Sequence, residues 1–335
     1  MSIASLPSQF GAPSLMQSSL ARTLVRSRPS PRIFSATTRL RTVSAVMADA
    51  SKSQRRVVVV TGASAGIGAE LARQLAALTT PQYALVLAAR RKAELDEVRA
   101  ACEHLGSPAV AVVADVRHKA DVQRVLSAAL DTFGDVHVFV NNAGAGCTCP
   151  TLELDEQLVD DTLAVNLKSA LWGMQCAAAH MTSRPGGGHI INVSSFLAKV
   201  PAASIRSIYS ASKAALNSLT SNARVDLATS GHGDVRITTI MPGVVTTEFA
   251  AAASARQGSH TPAAPFRPPV GYASQTPTEC AAVIRDVIQA SVGGTGAGVD
   301  IPVEVFTQGV PQKQMALTYA QDVGAWEAGA IARSS

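Results

Sequence analysis

Tyr209 and Lys213 stand four residues apart in the run Tyr209-Ser210-Ala211-Ser212-Lys213. On a helix that spacing puts both side chains on one face. A phenol ordinarily ionises near pH 10. A neighbouring ammonium stabilises the phenolate and draws its pKa toward working pH, where the tyrosine can donate or accept an alcohol proton. A second group of residues has its own chemistry. Thr61-Gly62-Ala63-Ser64-Ala65-Gly66-Ile67-Gly68 lies between a β-branched run and a helical pattern. Glycines at such a turn let the backbone bend tightly and approach a pyrophosphate, whose charge is favoured at a helix N-terminus. The spacing is G-x-x-x-G-x-G, which differs from the general dinucleotide fingerprint. Past the next apolar run stand Arg90 and Arg91, with the nearest acid, Glu94, one helical turn further on. An acid at the strand end would hold the ribose 2′-hydroxyl of NAD, whereas arginine suits a 2′-phosphate. NADP(H) is therefore the expected cofactor.

These residues need a frame. Arg56 to Thr61 and Tyr83 to Ala89 are apolar runs without polar alternation, the pattern of strands buried on both faces. Ala109 to Ala114, Val136 to Val140, Ile190 to Val193, Val235 to Met241 and Val299 to Phe306 complete seven expected strands. Helical patterns separate them: Ile67 to Leu78, Lys92 to Leu105, a stretch around Val122 to Ala129, about Asp155 to Met181, Ser207 to Ala228 and Pro277 to Ala290. Alternating strands and helices imply an α/β fold, a doubly wound, mostly parallel seven-stranded sheet with helices on both faces. Its ligand crevice should lie at the carboxyl ends of the strands. Residues 50–310 read as a single domain, and 311–335 as a C-terminal extension.

The motifs in order resemble the short-chain dehydrogenase/reductase superfamily over nearly all of residues 55–306. Thr61 to Gly68 is similar to its TGxxxGxG, Asn141 to Gly144 to NNAG, Tyr209 and Lys213 to YxxxK, and Pro242 to Thr247 to its PG motif. Asp115, Asn166 and the pair Ser194-Ser195 occupy the remaining motif positions. The resemblance implies a Rossmann-like fold and a nicotinamide cofactor. It assigns catalysis to Asn166, Ser195, Tyr209 and Lys213. Ser195 would hydrogen-bond the substrate oxygen, Lys213 would also hold the nicotinamide ribose, and Asn166 would position a water linking Lys213 to solvent. Ser195 stands 14 residues before Tyr209, one more than is common in the family, which leaves Ser194 as an alternative. Cofactor contacts are implied at Gly62, Ser64, Gly66, Ile67, Gly68, Arg90, Arg91, Asp115, Val116, Asn142, Ala143 and Gly144. Tyr209, Lys213, Pro242, Gly243, Val245 and Thr247 complete that set. Homodimers or homotetramers are a further implication.

Composition narrows the function classes. The chain has 335 residues, 47% of them hydrophobic and 16% charged, which suits a folded domain and not a disordered one. No apolar stretch approaches the ~18 residues that would span a bilayer. Residues 1–48 hold ten serines, six arginines and no acid, the composition of an organellar transit peptide. Four prolines within them (7, 13, 29 and 31) break any long amphipathic helix and shift the expected address from mitochondrion to plastid. Removing those six arginines leaves 23 basic against 24 acidic residues, so the body has no charge-based reason to bind nucleic acid. Five cysteines in this length are no disulfide scaffold, and neither Cys147-Thr148-Cys149 nor the scattered histidines have metal-ligand spacing. Gly186-Gly187-Gly188 reads as a loop before the fifth strand.

The expected activity is an NADP(H)-dependent oxidoreductase interconverting a small-molecule carbonyl and an alcohol. Two alternatives stand beside it. One is a 3-oxoacyl-carrier-protein reductase, although the Asp-Gly-Gly ending common in that branch is missing near Val303 to Phe306. The other is a non-catalytic NADP(H)-binding sensor, against which the Asn-Ser-Tyr-Lys set argues. Substrate choice should reside in residues 248–276, where pattern content is low.

Overall fold

Val57 to Val60 are wholly buried, so strand β1 (Arg56–Thr61) can only run through the middle of a sheet covered on both sides. The computed structural model describes residues 55–201, 205–249, 253, 274–293 and 301–334. Residues 1–48, the expected transit peptide, lie outside the described residues, as does most of 248–276. Six more strands follow: β2 (Tyr83–Ala89), β3 (Ala109–Val113), β4 (Val138–Asn141), β5 (Gly188–Val193), β6 (Val235–Met241) and β7 (Glu304–Phe306). All pair in parallel, in the order β3-β2-β1-β4-β5-β6-β7. The order reverses between β1 and β4, which opens the crevice expected of a doubly wound sheet at the strands' carboxyl ends. Register keeps those ends level: Thr61 pairs with Ala88, Asn141 with Asn192, and Val193 with Ile240. Residues immediately after each strand therefore meet at one edge.

The helices form two layers. Helices α1 (Gly66–Ala76) and α2 (Lys92–His104), with α7 (Pro277–Gly293), cover one face through Leu71, Leu75, Leu95, Val98 and Ile284. Helices α3 (Lys119–Phe133), α5 (Ser169–Met181) and α6 (Ser207–Thr229) cover the other, with Val122, Val125, Met174 and Met181 against Phe139 and Ile190. Truncating one such buried leucine to alanine typically costs about 2–5 kcal/mol.

Some boundaries differ from expectation. The helical stretch 155–181 is two helices joined by a π turn. Asp155 caps α4 (Glu156–Leu163) by accepting from the Leu158 amide at 2.7 Å, and the wide turn Ala164–Lys168 leads into α5. The described last strand is Glu304–Phe306, with Pro302 lacking an amide to give just before it, and the expected start at 299 lies outside the described residues. The extension 311–335 carries helices α8 (Val310–Gln321) and α9 (Val323–Ser334), joined by an edge-on Tyr319–Trp326 contact with ring centres 6.2 Å apart. Gly186 and Gly187 form the left-handed turn into β5, in keeping with a loop.

Candidate active site

The glycine loop crosses from β1 to α1 under tight constraint. Gly62 has φ +67°, and a Cβ there would come within 2.9 Å of the Ala143 Cα. A Cβ on Gly68 would lie 2.5 Å from the Gly62 carbonyl oxygen, so this turn closes only on glycine. Thr61 and Asn142 tie the loop to the end of β4. The Thr61 hydroxyl oxygen accepts from the Asn142 and Ala143 amides at 3.0 and 3.1 Å, while Asn142 Nδ2 donates to the Thr61 carbonyl at 2.8 Å. Ala65, at the start of α1, supplies no side-chain cap, so the helix presents uncapped amides to an anion.

A groove of about 440 Å³ runs from this loop along the carboxyl ends of β1, β2, β4, β5 and β6. It brings together every residue expected to contact cofactor except Gly68, which packs inside the turn. Arg90 and Arg91 lie at one end. Arg91 reaches the Ser64 hydroxyl at 3.4 Å and pairs with Glu94 and Glu248 at 3.4 and 3.3 Å. Asp115 is held by Arg117, which donates to its carboxylate at 3.0 and 2.7 Å and also reaches Asp161 at 3.0 Å. That grip holds the Asp115 carboxyl below its ordinary pKa.

At the other end of the groove stand Ser195, Tyr209 and Lys213. Helix α6 carries Tyr209 and Lys213 on its buried face. The Ser195 hydroxyl lies beside the Tyr209 phenol, where it favours the ionised form, and accepts from the Leu197 amide at 3.1 Å. The Ser194 hydroxyl instead donates to the Lys213 carbonyl at 3.3 Å, so Ser195 is the serine on the phenol. Lys213 Nζ donates to the Val193 carbonyl at 2.8 Å, and burial pushes its pKa down to about 8. Burial pushes the Tyr209 phenol up, opposed by the Ser195 hydroxyl and the charge of Arg206. The sequence assigned that second influence to Lys213. The Lys213 ammonium lies on the Val193 carbonyl, and Arg206 is a second cation that favours the phenolate.

Asn166 sits in the π turn, away from the groove lining and buried. Its Oδ1 accepts from the Ala145 amide at 2.8 Å, and Nδ2 donates to the Ala145 carbonyl and the Ser212 hydroxyl at 2.9 and 3.1 Å. It thus braces the loop after β4 against α6. Phe249 places its ring edge-on to Tyr209, with centres 5.6 Å apart. Gly146 admits this approach, since a Cβ there would lie 2.8 Å from Phe249 Cε1. Arg117, Arg206, Gly146 and Phe249 escaped the sequence reading. Only Arg206, one turn before Tyr209 on the same helix face, left a signal that spacing could have revealed. None of the five cysteines forms a disulfide and all are buried, and no cluster that could hold a metal occurs among the described residues. No helix among them is long and apolar enough to cross a membrane.

An acid–base pair buried beside a groove with an anion-binding glycine turn is equipped to move a proton next to a bound dinucleotide. Comparison with known proteins agrees in kind: the family model for short chain dehydrogenases matches residues 56–258. The chain belongs to that family. An uncharacterized oxidoreductase of Methylorubrum extorquens is 34% identical over 228 residues, covering 68% of this chain and 85% of its own. Another from Staphylococcus epidermidis is 32% identical over 197 residues, 59% of this chain and 81% of its own. Among solved structures, a short chain dehydrogenase/reductase from Burkholderia phymatum in complex with NAD superposes with a TM-score of 0.69. It is 25% identical and covers 82% of this chain and 95% of that one. An alcohol dehydrogenase from Thermococcus sibiricus complexed with 5-hydroxy-NADP gives a TM-score of 0.61 at 26% identity, covering 75% and 95%. Shared family membership accounts for the parallel sheet, its strand order and the placement of the groove.

Proposed function

We propose that this family member interconverts a small-molecule carbonyl and an alcohol with NADP(H), Tyr209 acting as general acid and base. The observation that carries the reading is that Ser195, Tyr209 and the buried Lys213, one helical turn on, line the same end of the groove. The residues present fit a dinucleotide. Gly62 and Gly68 leave no room for side chains at the turn, and the uncapped start of α1 suits a pyrophosphate. Arg90 and Arg91 supply cations where a 2′-phosphate would lie, and the same arginines favour NADP(H) over NAD(H). When bound, the nicotinamide gives or accepts hydride.

The chain's own residues do the rest. Tyr209 passes its phenolic proton to the carbonyl oxygen in reduction and takes it back in oxidation. Ser195 donates toward the same oxygen, where negative charge develops. Lys213, whose pKa burial brings down to about 8, would hold the ribose when the dinucleotide is bound. Asn166 fixes the loop on which the relay to solvent depends.

Purified protein assayed with NADPH and a broad carbonyl panel should turn over at least one member. Tyr209→Phe should lower kcat by about 10³-fold or more while NADPH affinity changes by less than about tenfold. A rate that survives this substitution overturns the assignment of Tyr209. The acid-free, arginine-rich segment 1–48 supports a plastid address within the same proposal. N-terminal sequencing of protein from isolated plastids should then find a start between roughly residues 43 and 50. An intact Met1 on the abundant form would rule the address out.

A further inference from the structure

Arg206 lies one turn before Tyr209, at the N-cap of α6, and is 8% exposed. Its Nη1 donates to the Cys147 carbonyl at 3.1 Å. A second bond joins the same two segments, from the Cys149 amide to the Ile205 carbonyl at 3.0 Å. Ile205 has φ +59°, a left-handed conformation that a β-branched residue rarely adopts. Strain of that kind persists where surrounding contacts over-determine the backbone, and it concentrates at functional sites. The loop after β4 and the first turn of the Tyr209 helix are therefore fastened together at two points, with a buried guanidinium between them.

The groups facing Tyr209 come from four parts of the chain. Ser195 approaches from the turn after β5, the Cys147 thiol from the loop after β4, and Phe249 from the segment after β6. From its own helix come Arg206 and, one turn on, Lys213, whose ammonium is on the Val193 carbonyl. Burial lowers the pKa of Arg206, and Tyr209 and Cys147 oppose that loss. Arg206 is buried, lies one turn before Tyr209 and is not among the residues that line the groove.

We propose that Arg206 is a positioning residue for Tyr209: anchored on the Cys147 carbonyl, its guanidinium holds a buried positive charge near the phenol and locks the first turn of α6 to the loop that walls the groove. The proposal rests on the reading of Tyr209 as the acid and base. When the phenolic O–H gives its proton to a carbonyl oxygen, the bonding pair stays on the tyrosine oxygen. The phenolate so formed is buried, and the charge of Arg206 stabilises it.

The test is a titration that does not depend on turnover. Ultraviolet tyrosinate absorbance of the full chain, minus that of Tyr209→Phe, isolates Tyr209 from the other tyrosines. Arg206→Gln, which keeps a donor for the Cys147 carbonyl but loses the charge, should raise the Tyr209 pKa by about one pH unit. Arg206→Lys, which keeps the charge, should stay within a few tenths of wild type. The Tyr209-dependent limb of the kcat/KM profile should shift in parallel, with the NADPH dissociation constant unchanged. Where Arg206→Gln does not fold, Arg206→Met is the neutral variant. A neutral variant that titrates like wild type overturns the proposal, as does a lysine variant shifted as far as the neutral one. If no carbonyl is turned over, the functional reading falls, and the absorbance titration still decides the role of Arg206.

Discussion

Both edges of the parallel sheet bury ionisable side chains, and the two treat them differently. At the amino edge, Asp135 accepts from His180 Nε2 and Arg184 Nη1, each at 2.8 Å, and from the Val136 amide at 2.7 Å. Burial works against its ionised form, yet the His180 hydrogen bond and the charges of His137 and Arg184 hold the carboxyl below its ordinary pKa. His137 accepts the Val57 amide on Nδ1 at 3.0 Å, and burial pushes its pKa down to about 4. His189, beside Thr238 at 2.9 Å, is pushed down to about 3. Asp135 and His137 have partners that suit one protonation state, while His189 keeps its buried Nδ1 without one. At the carboxyl edge, Lys213 is brought to about 8 with one carbonyl for a partner, and Tyr209 abuts an open groove. Closed networks hold the sheet together, and groups left near their tipping point do chemistry.

The sharpest way to break this contrast is Lys213→Met. It should lower kcat/KM by about 10²–10⁴-fold, while the thermal midpoint holds or rises because a desolvated ammonium is gone. A marked fall in midpoint would make Lys213 a structural residue and erase the distinction. At the amino edge the prediction is reversed. A histidine whose folded pKa is depressed contributes stability that is complete above the unfolded value of about 6.5 and is lost as pH falls. For His137 that loss should run from about pH 6.5 down to about 4 and amount to roughly 3 kcal/mol. Urea midpoints across that window should show the slope, and His137→Asn should flatten it with kcat/KM near pH 7 unchanged.

Two smaller effects sharpen the picture of the groove. Arg90→Ala should weaken NADPH binding by about 1.5–3 kcal/mol, the worth of a charge-assisted hydrogen bond, and leave NADH nearly untouched in a fluorescence titration. Equal affinity of the wild type for NADH and NADPH would remove the role given to these arginines. Glu248→Gln releases Arg91 from an exposed pair, worth at most about 1 kcal/mol. NADPH should therefore bind up to about fivefold tighter, and weaker binding would show that Glu248 serves the cofactor side instead.

Much of the frame was legible because burial on both faces leaves a plain trace. Tyr83 to Ala89 and Val235 to Met241 are strands over the very residues their apolar runs mark. The glycine turn and the Tyr209–Lys213 spacing were legible for a similar reason: both are local. What escaped was set by approach in space. Gly146 matters through Phe249, a hundred residues away in the chain, and Arg117 through Asp115, a carboxylate expected to contact cofactor. Arg206 stands one turn before Tyr209 in sequence, but its burial against Cys147 appears only in the fold. Val136 and His137 were read as strand, yet β4 starts at Val138, and Val136 turns its amide to Asp135.

The wide turn at Ala164–Lys168 has a bearing on how this chain can change over time. In a regular helix each residue advances the rotation by about 100°. Deleting one residue between α4 and Asn166 would let the wide turn relax to ordinary helix, at little expense to the surface. It would also swing Asn166 away from Ala145 and Ser212 and leave two backbone groups of the loop unclaimed. Point substitutions along α4 leave that geometry alone. Here the site is guarded by residue count as much as by residue identity, and single-residue insertions or deletions should be the changes a lineage carrying this fold tolerates least.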